Sequence, residues 1–278
     1  MTTTPVRATS AAAEQDRSPR GRLFRSESAT ERWVSILSPI VLLVLWELAA
    51  RLGWVDDRFF PPPSGIASTF WEMTLSGELV GHTLTSLQRV LLGFLLGGVP
   101  AILIGLAMGL YRPVRAAVEP LISATYPIPK SALVPLALLI FGLGEMSKIA
   151  IVAVGVFFPL AINTLAGVAG IDRIYHEVGK TYGATGMRKF TTIAFPGALP
   201  LILTGIQLGI GMGLVLIAIA EMIGARDGLG YLIWNSWQVF AVERMYVGLL
   251  VIGLLGIVLT AILREVERIV VPWRRQAR

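Results

Sequence analysis

The sequence predicts an all-α, polytopic membrane protein of about six transmembrane helices, with two short helices in one inner loop. Three observations predict it. Across 278 residues, 54% are hydrophobic and only 15% charged, with a mean hydropathy of +0.70. A soluble domain of this length carries roughly a quarter charged residues, so this much apolar surface has no aqueous core large enough to hide in. The apolar residues fall in runs long enough to cross a hydrocarbon layer about 30 Å thick. Finally, Lys and Arg gather in alternate connecting segments, which is a topology signal.

Residues 1–32 are rich in Thr, Ser, Ala and Arg and lack apolar periodicity, which predicts a disordered cytoplasmic tail. A signal peptide is not expected, because the apolar run begins near Val34 and no small-residue cleavage site follows it. The unit 33–80 holds the first span, VSILSPIVLLVLWELAARLGW, and an external connector. Pro61, Pro62 and Pro63 forbid a continuous helix there, and Phe59, Phe60, Phe70 and Trp71 suit an interfacial belt. The main transmembrane unit, 81–265, holds spans at about 86–110, 114–141, 148–169, 198–222 and 245–264. The third carries Pro120, Pro127, Pro129 and Pro135 and is expected to be kinked or broken; if it fails to cross, the count is five. Residues 266–278 form a basic cytoplasmic tail.

Six spans place Arg112 and Arg115, then Arg173, Lys180, Arg188 and Lys189, then Arg264, Arg268, Arg274, Arg275 and Arg278 on the same side as the N-terminal arginines. That side is the cytoplasm, so both termini are expected there in a bacterial inner membrane. The net charge of +6 invites a nucleic-acid reading, but these residues flank apolar runs, and no nucleic-acid partner is expected. The absence of cysteine excludes disulfides, thiol catalysis and thiolate metal sites. His82 and His176 stand far apart and form no local metal pair, so no metal site is predicted. Gly93 and Gly97, Gly105 and Gly109, and Gly205, Gly209 and Gly213 recur every four residues, the spacing for close helix packing.

The polar stretch EVGKTYGATGMRKFTTIAFP, residues 177–196, contains Gly-Lys-Thr. A phosphate-binding loop needs a second glycine with four residues between, and that position is Ile174. The nucleotide reading fails. Ile174, Val178 and Tyr182 instead recur at helical spacing, with Glu177 and Lys180 beside them. Gly183 ends that helix, a second runs from about Thr185 to Ala194, and Pro196 and Pro200 set a turn into the fifth span. Two short amphipathic helices on the inner side offer a plug for a groove on a partner.

The spacing Glu177, six residues to Gly183, ten to Ile193 and three to Pro196 resembles the cytoplasmic signature of permease subunits of bacterial ABC importers, Glu-Ala-Ala, Gly, then Ile-x-Leu-Pro. Here Glu-Val-Gly replaces Glu-Ala-Ala and Phe195 the leucine. The blocks PPPSGIASTF, HTLTSLQRVLLGFLLGG, YPIPKSALVPLALLIFGLGEMSKI, FPLAINTLAGV and AEMIGARDGLGYLI extend the likeness over most of 60–265, to the branch importing nitrate, taurine and aliphatic sulfonates. The resemblance implies a non-catalytic subunit with no cofactor of its own. ATP and Mg²⁺ would be bound by a separate cytoplasmic ATPase, docked by Ile174, Glu177, Val178, Tyr182, Gly183, Ile193 and Pro196. It also implies an extracytoplasmic solute-binding protein and a second permease copy, as a homodimer in the lipid bilayer.

Ionisable residues at membrane depth are candidates by cost alone. Glu47 and Arg51 read as an interfacial ion pair, and Arg89 as a snorkelling side chain. Lys130, in YPIPKSALVP, attracts an anionic cargo or simply packs; Asn163 faces the path or bonds a neighbouring helix. Glu145 and Lys148 are expected to be solvated at an outer turn, and Glu221, Arg226 and Asp227 to form a local polar cluster, meet the solute-binding protein or seal an outer gate. A polytopic membrane enzyme would need clustered acid, base or nucleophile, and no such motif is present. An ion-driven carrier or channel is the other rival, distinguished by uptake without an ATPase.

Overall fold

A computed structural model describes residues 29–273. The expectation of disorder for the N-terminal tail lies outside the described residues as far as residue 28, and Arg274, Arg275 and Arg278 lie outside them too. The described chain is α-helical with no strand among its residues.

Helix α1 (Ala29–Arg51) leads through a proline-rich connector to α2 (Pro63–Leu75). Then α3 (Glu78–Leu110) begins eight residues before the span expected at 86, because Gly77 at φ 79° allows the chain to reverse straight out of α2. The pair α4 (Arg112–Thr125) and α5 (Val134–Phe141), bridged by a 3₁₀ turn at Lys130–Leu133, is bent by 89°. Next come α6 (Glu145–Ala169), the inner-loop helices α7 (Arg173–Thr181) and α8 (Gly186–Lys189), α9 (Phe195–Gly224), α10 (Leu229–Gln238) and α11 (Val242–Val270). Five helices are long and apolar enough to cross a membrane, and the bent pair makes a sixth.

The bent pair does cross, because of how α3 and α6 lie. Cβ atoms built at Gly93, Gly97, Gly105 and Gly109 of α3 would meet Val152, Ala153, Thr164 and Val168 of α6 in rising order, so the two helices are parallel. Arg89 of α3 bonds Glu145, the first residue of α6, at 2.6 Å. From Arg89 to Leu110, α3 travels about 31 Å at 1.5 Å per residue, and residues 111–144 must climb back over that distance. The break expected from the prolines falls at Tyr126–Pro129.

The core is the α3–α6–α9 triad, with Val152, Val156, Leu160 and Ala161 of α6 fully buried at its centre. Glycine spacing explains its closeness: a Cβ on Gly97 would sit 2.1 Å from the Ala153 carbonyl oxygen. Lipid provides no hydrophobic drive between helices, so backbone approach and dispersion contact do the holding. Gly213 is the exception in the stripe, with ordinary contacts no nearer than 3.5 Å. A second cluster, including Ile66, Met73, Leu79, Leu229 and Val247, fastens α2, α10 and α11 together at the end opposite the α7–α8 loop. At α1 the expected ion pair is present: Arg51 Nε donates to Glu47 at 2.5 Å, and Glu47 also accepts from the Ser64 amide and hydroxyl.

Candidate functional site: an exposed amphipathic loop and a buried clamp at the opposite end

The inner loop is built as follows. Asp172 caps α7, its carboxylate accepting from the Ile174 amide at 3.0 Å. At the other end the Ala184 amide donates to the Gly179 carbonyl and the Gly183 amide to Lys180, a Schellman closure with Gly183 at φ +68°. Ile174, Val178, Tyr182 and Met187 are 49–79% exposed and form an apolar ridge, while Tyr175, also exposed, stands at the wall of the cavity below. Glu177 is exposed on the same helix, 3.8 Å from Arg173. Ile193 and Pro196 point the other way, half buried beneath α7. A Cβ on Gly179 would lie 2.4 Å from Ile193 Cδ1, so the glycine standing third in Glu-Val-Gly lets α7 settle on that isoleucine. A cavity of about 560 Å³ opens at the root of the loop, bounded by Ile171, Tyr175, Ile193, Pro196 and Trp273.

One expectation is corrected here. The second loop helix is not separate from the fifth span, and Pro196 and Pro200 make no turn. Residues Gly186–Gly224 form one uninterrupted helical rod. Pro196 has no amide to offer the Thr192 carbonyl and its ring crowds that position. The helix answers by widening into a π segment at Phe190–Ala194, with the Phe195 amide donating to the Phe190 carbonyl, rather than by bending.

At the opposite end of the triad is a feature the sequence did not announce. Arg89 is 2% exposed, not snorkelling, and its guanidinium bonds Glu145 at 2.6 and 2.7 Å, Glu221 at 2.8 Å and Asp227 at 2.5 Å. Glu221 is fully buried and accepts in addition from the Ser86 hydroxyl and the Gly230 amide. Ser86 in turn accepts from the Leu229 amide, and His82 Nδ1 from the Gly228 amide. Gly228, at φ +101°, lies so close that an added Cβ would be 2.4 Å from the Glu221 carboxylate. The clamp pins the 225–230 turn, the end of α9 and the start of α6 onto α3. The local polar cluster expected at Glu221 and Asp227 is therefore present, while Arg226 is exposed outside it. Glu145 is paired rather than merely solvated, and Lys148 is buried, its ammonium folding back onto the Leu143 and Gly144 carbonyls at 2.8 and 3.1 Å. The available signal was that Arg89 and Glu221, opposite charges inside apolar runs, each need a partner at that depth.

Lys130 is buried as well. Its ammonium donates to the carbonyls of Thr125, Tyr126 and Ile128 at 2.8–3.0 Å and lies 4.0 Å from the Phe158 ring centroid. These are the carbonyls freed where α4 breaks. Asn163 donates to the Pro159 carbonyl one turn earlier in its own helix, not to a neighbouring helix.

The described residues define a class, the all-α polytopic membrane protein, here with a short exposed amphipathic helix at one end. The sequence model of the binding-protein-dependent transport system inner membrane component matches residues 101–276. Over 239 residues the chain is 34% identical to the putative aliphatic sulfonates transport permease protein of Bacillus subtilis, covering 86% of this chain and 87% of the relative. It is 32% identical over 247 residues to the taurine transport system permease protein of Escherichia coli (86% and 89% covered). It is also 32% identical over 238 residues to the formylaminopyrimidine transport permease protein of Halalkalibacterium halodurans (85% and 94% covered). The chain belongs to the binding-protein-dependent transport family: it is a non-catalytic, multi-pass inner-membrane permease component of an ABC importer.

Proposed function

We propose that this permease carries a small organic anion of the sulfonate or taurine kind, and that the 174–196 loop couples it to a separate ATPase. The observation that carries the coupling is the exposed apolar ridge of α7 standing beside a helix that runs unbroken into α9. A partner gripping Ile174, Val178 and Tyr182 moves Ile193 through the Gly179 contact, and that push passes into the fifth span without a hinge. Glu177 orients the docked α7, Gly183 fixes where it ends, and the π segment before Pro196 sets the angle of the lever. ATP and Mg²⁺ belong to the ATPase. The arginine-bearing loop faces the cytoplasm, with both chain termini, and the clamp faces the solute-binding protein. Two copies pair as a homodimer around the path.

Lys130 serves that path by its field. Its three donors are already bound to carbonyls, so it attracts an anion by charge, and Asn163 stands further along α6, the helix whose Phe158 the lysine covers. The ATPase must bind one permease conformation more tightly than the other for any of this to drive transport.

The test is uptake in cells carrying Glu177→Lys or Gly183→Pro. Both are expected to insert normally, lose the co-purifying ATPase and lose ATP-dependent uptake of radiolabelled taurine or ethanesulfonate. Retained ATPase binding and normal uptake in both would overturn the proposal.

A further inference from the structure

Between α9 and α11 a groove of about 650 Å³ runs at membrane depth, and its chemistry does not suit lipid. Gln207 lies 12 residues after Phe195 and 17 before Gly224, hence about 18 Å or more from either end of α9. It is exposed and makes no hydrogen bond to any described residue. An amide left facing hydrocarbon forfeits its bonds to water with nothing in return, so polar side chains at this depth face protein or a wet cavity. The groove continues from Gln207 to Thr260 and Arg264 of α11, and Arg264 is likewise exposed with no partner among the described residues. Beside them Gly211 and Gly253 have nothing within 4 Å of where a Cβ would stand, which leaves width. Amide, hydroxyl and guanidinium thus form a ladder from mid-membrane to the side of the α7–α8 loop.

We infer that this groove is the water-filled inner half of the translocation path, and that Gln207, Thr260 and Arg264 are the donors that receive the anionic head of the solute. The inference rests on the importer reading for the identity of the solute; the claim of a wet, anion-selective groove stands on the residues themselves. Leu208, Met212 and Val215, exposed on the same side of α9, supply the apolar wall a short alkyl chain requires.

The chain contains no cysteine, so single cysteines can be introduced directly. Gln207→Cys and, as a lipid-facing control, Leu95→Cys on α3 are placed in inside-out vesicles and treated with anionic and cationic methanethiosulfonates. The cysteine thiolate, which forms only where water reaches, attacks the reagent's sulfur, giving a mixed disulfide and releasing methanesulfinate. The expected result is labelling of Gln207→Cys about tenfold or more faster than Leu95→Cys, with the anionic reagent preferred and the preference lost when Arg264→Gln is added. Labelling no faster than the control would overturn the inference in favour of a lipid-facing surface. Ready oxidation to a Gln207→Cys homodimer that abolishes labelling would overturn it in favour of a direct contact between copies. An anion preference untouched by Arg264→Gln would remove Arg264 from the site. Because labelling needs neither ATPase nor transport, loss of the importer reading and loss of this one are separate results.

Discussion

Arg89→Ala isolates the outer clamp. The substitution removes a guanidinium that bonds three carboxylates and leaves Glu221 fully buried, with only the Ser86 hydroxyl and the Gly230 amide as donors. Breaking a buried pair by deleting one partner costs about 3–5 kcal/mol, most of it the uncompensated charge that remains. The Glu145 and Asp227 contacts add little to this sum, because both carboxylates are more than half exposed and water replaces the arginine there. For a chain of this size the loss corresponds to a fall of about 10 °C in the thermal midpoint of the purified protein. The 225–230 turn, left with only His82 and Ser86 to hold it to α3, becomes the first site of protease cleavage. Adding Glu221→Gln should restore part of the midpoint, since a neutral amide can still accept from Ser86 and Gly230 without a buried charge. A midpoint for Arg89→Ala within a degree or two of the parent, or a double variant worse than the single one, would refute the idea that the pair is held by buried charge.

Further outcomes follow from the same geometry. Gly97→Ala should depress the midpoint and the yield of folded protein, because the new methyl meets the backbone of Ala153, which cannot move aside; Gly81→Ala, with nothing within 4 Å, should be neutral or stabilising by about 0.5–1 kcal/mol. Gly183→Ala forces a side chain into the left-handed region at about 1–2 kcal/mol, read as faster amide exchange in α7 with the spans unaffected. At the α7–Ile193 contact, Gly179→Leu should weaken ATPase co-purification, and Ile193→Ala in the same chain should restore it. Failure of that rescue would show that the two side chains do not share one space. Pro196→Ala supplies the missing amide and should convert the π segment to α-helix, rotating α7 relative to α9; unchanged coupling efficiency in uptake assays would remove the π segment from the lever.

The spans were legible because hydropathy is a local property. A run of apolar residues crosses a membrane for reasons contained in the run, and the spans were located to within a few residues except that α3 starts early at Glu78, the fifth span is continuous with the helix from Gly186, and α11 runs on to Val270. The short helix α7 was legible for a similar reason: Ile174, Val178 and Tyr182 repeat at helical spacing and Gly183 marks a stop, and both features depend only on neighbours. Pro196 misled because its usual effect is a bend, whereas a π widening absorbs the same steric demand without one. Arg89, Glu145 and Lys148 were misjudged singly because each charge was weighed against lipid and water, the only surroundings a linear pattern offers.

The sequence by itself determined that the chain crosses a membrane about six times, which loops carry the positive charge, and that one of those loops presents an amphipathic helix. Tertiary structure alone decided that the broken third span completes its crossing, that the second loop helix is one body with the fifth span, and that a guanidinium on α3 is neutralised by carboxylates 56, 132 and 138 positions away. The division has one cause: insertion into lipid is settled segment by segment, whereas the cost of a buried charge depends on what distant helices bring beside it.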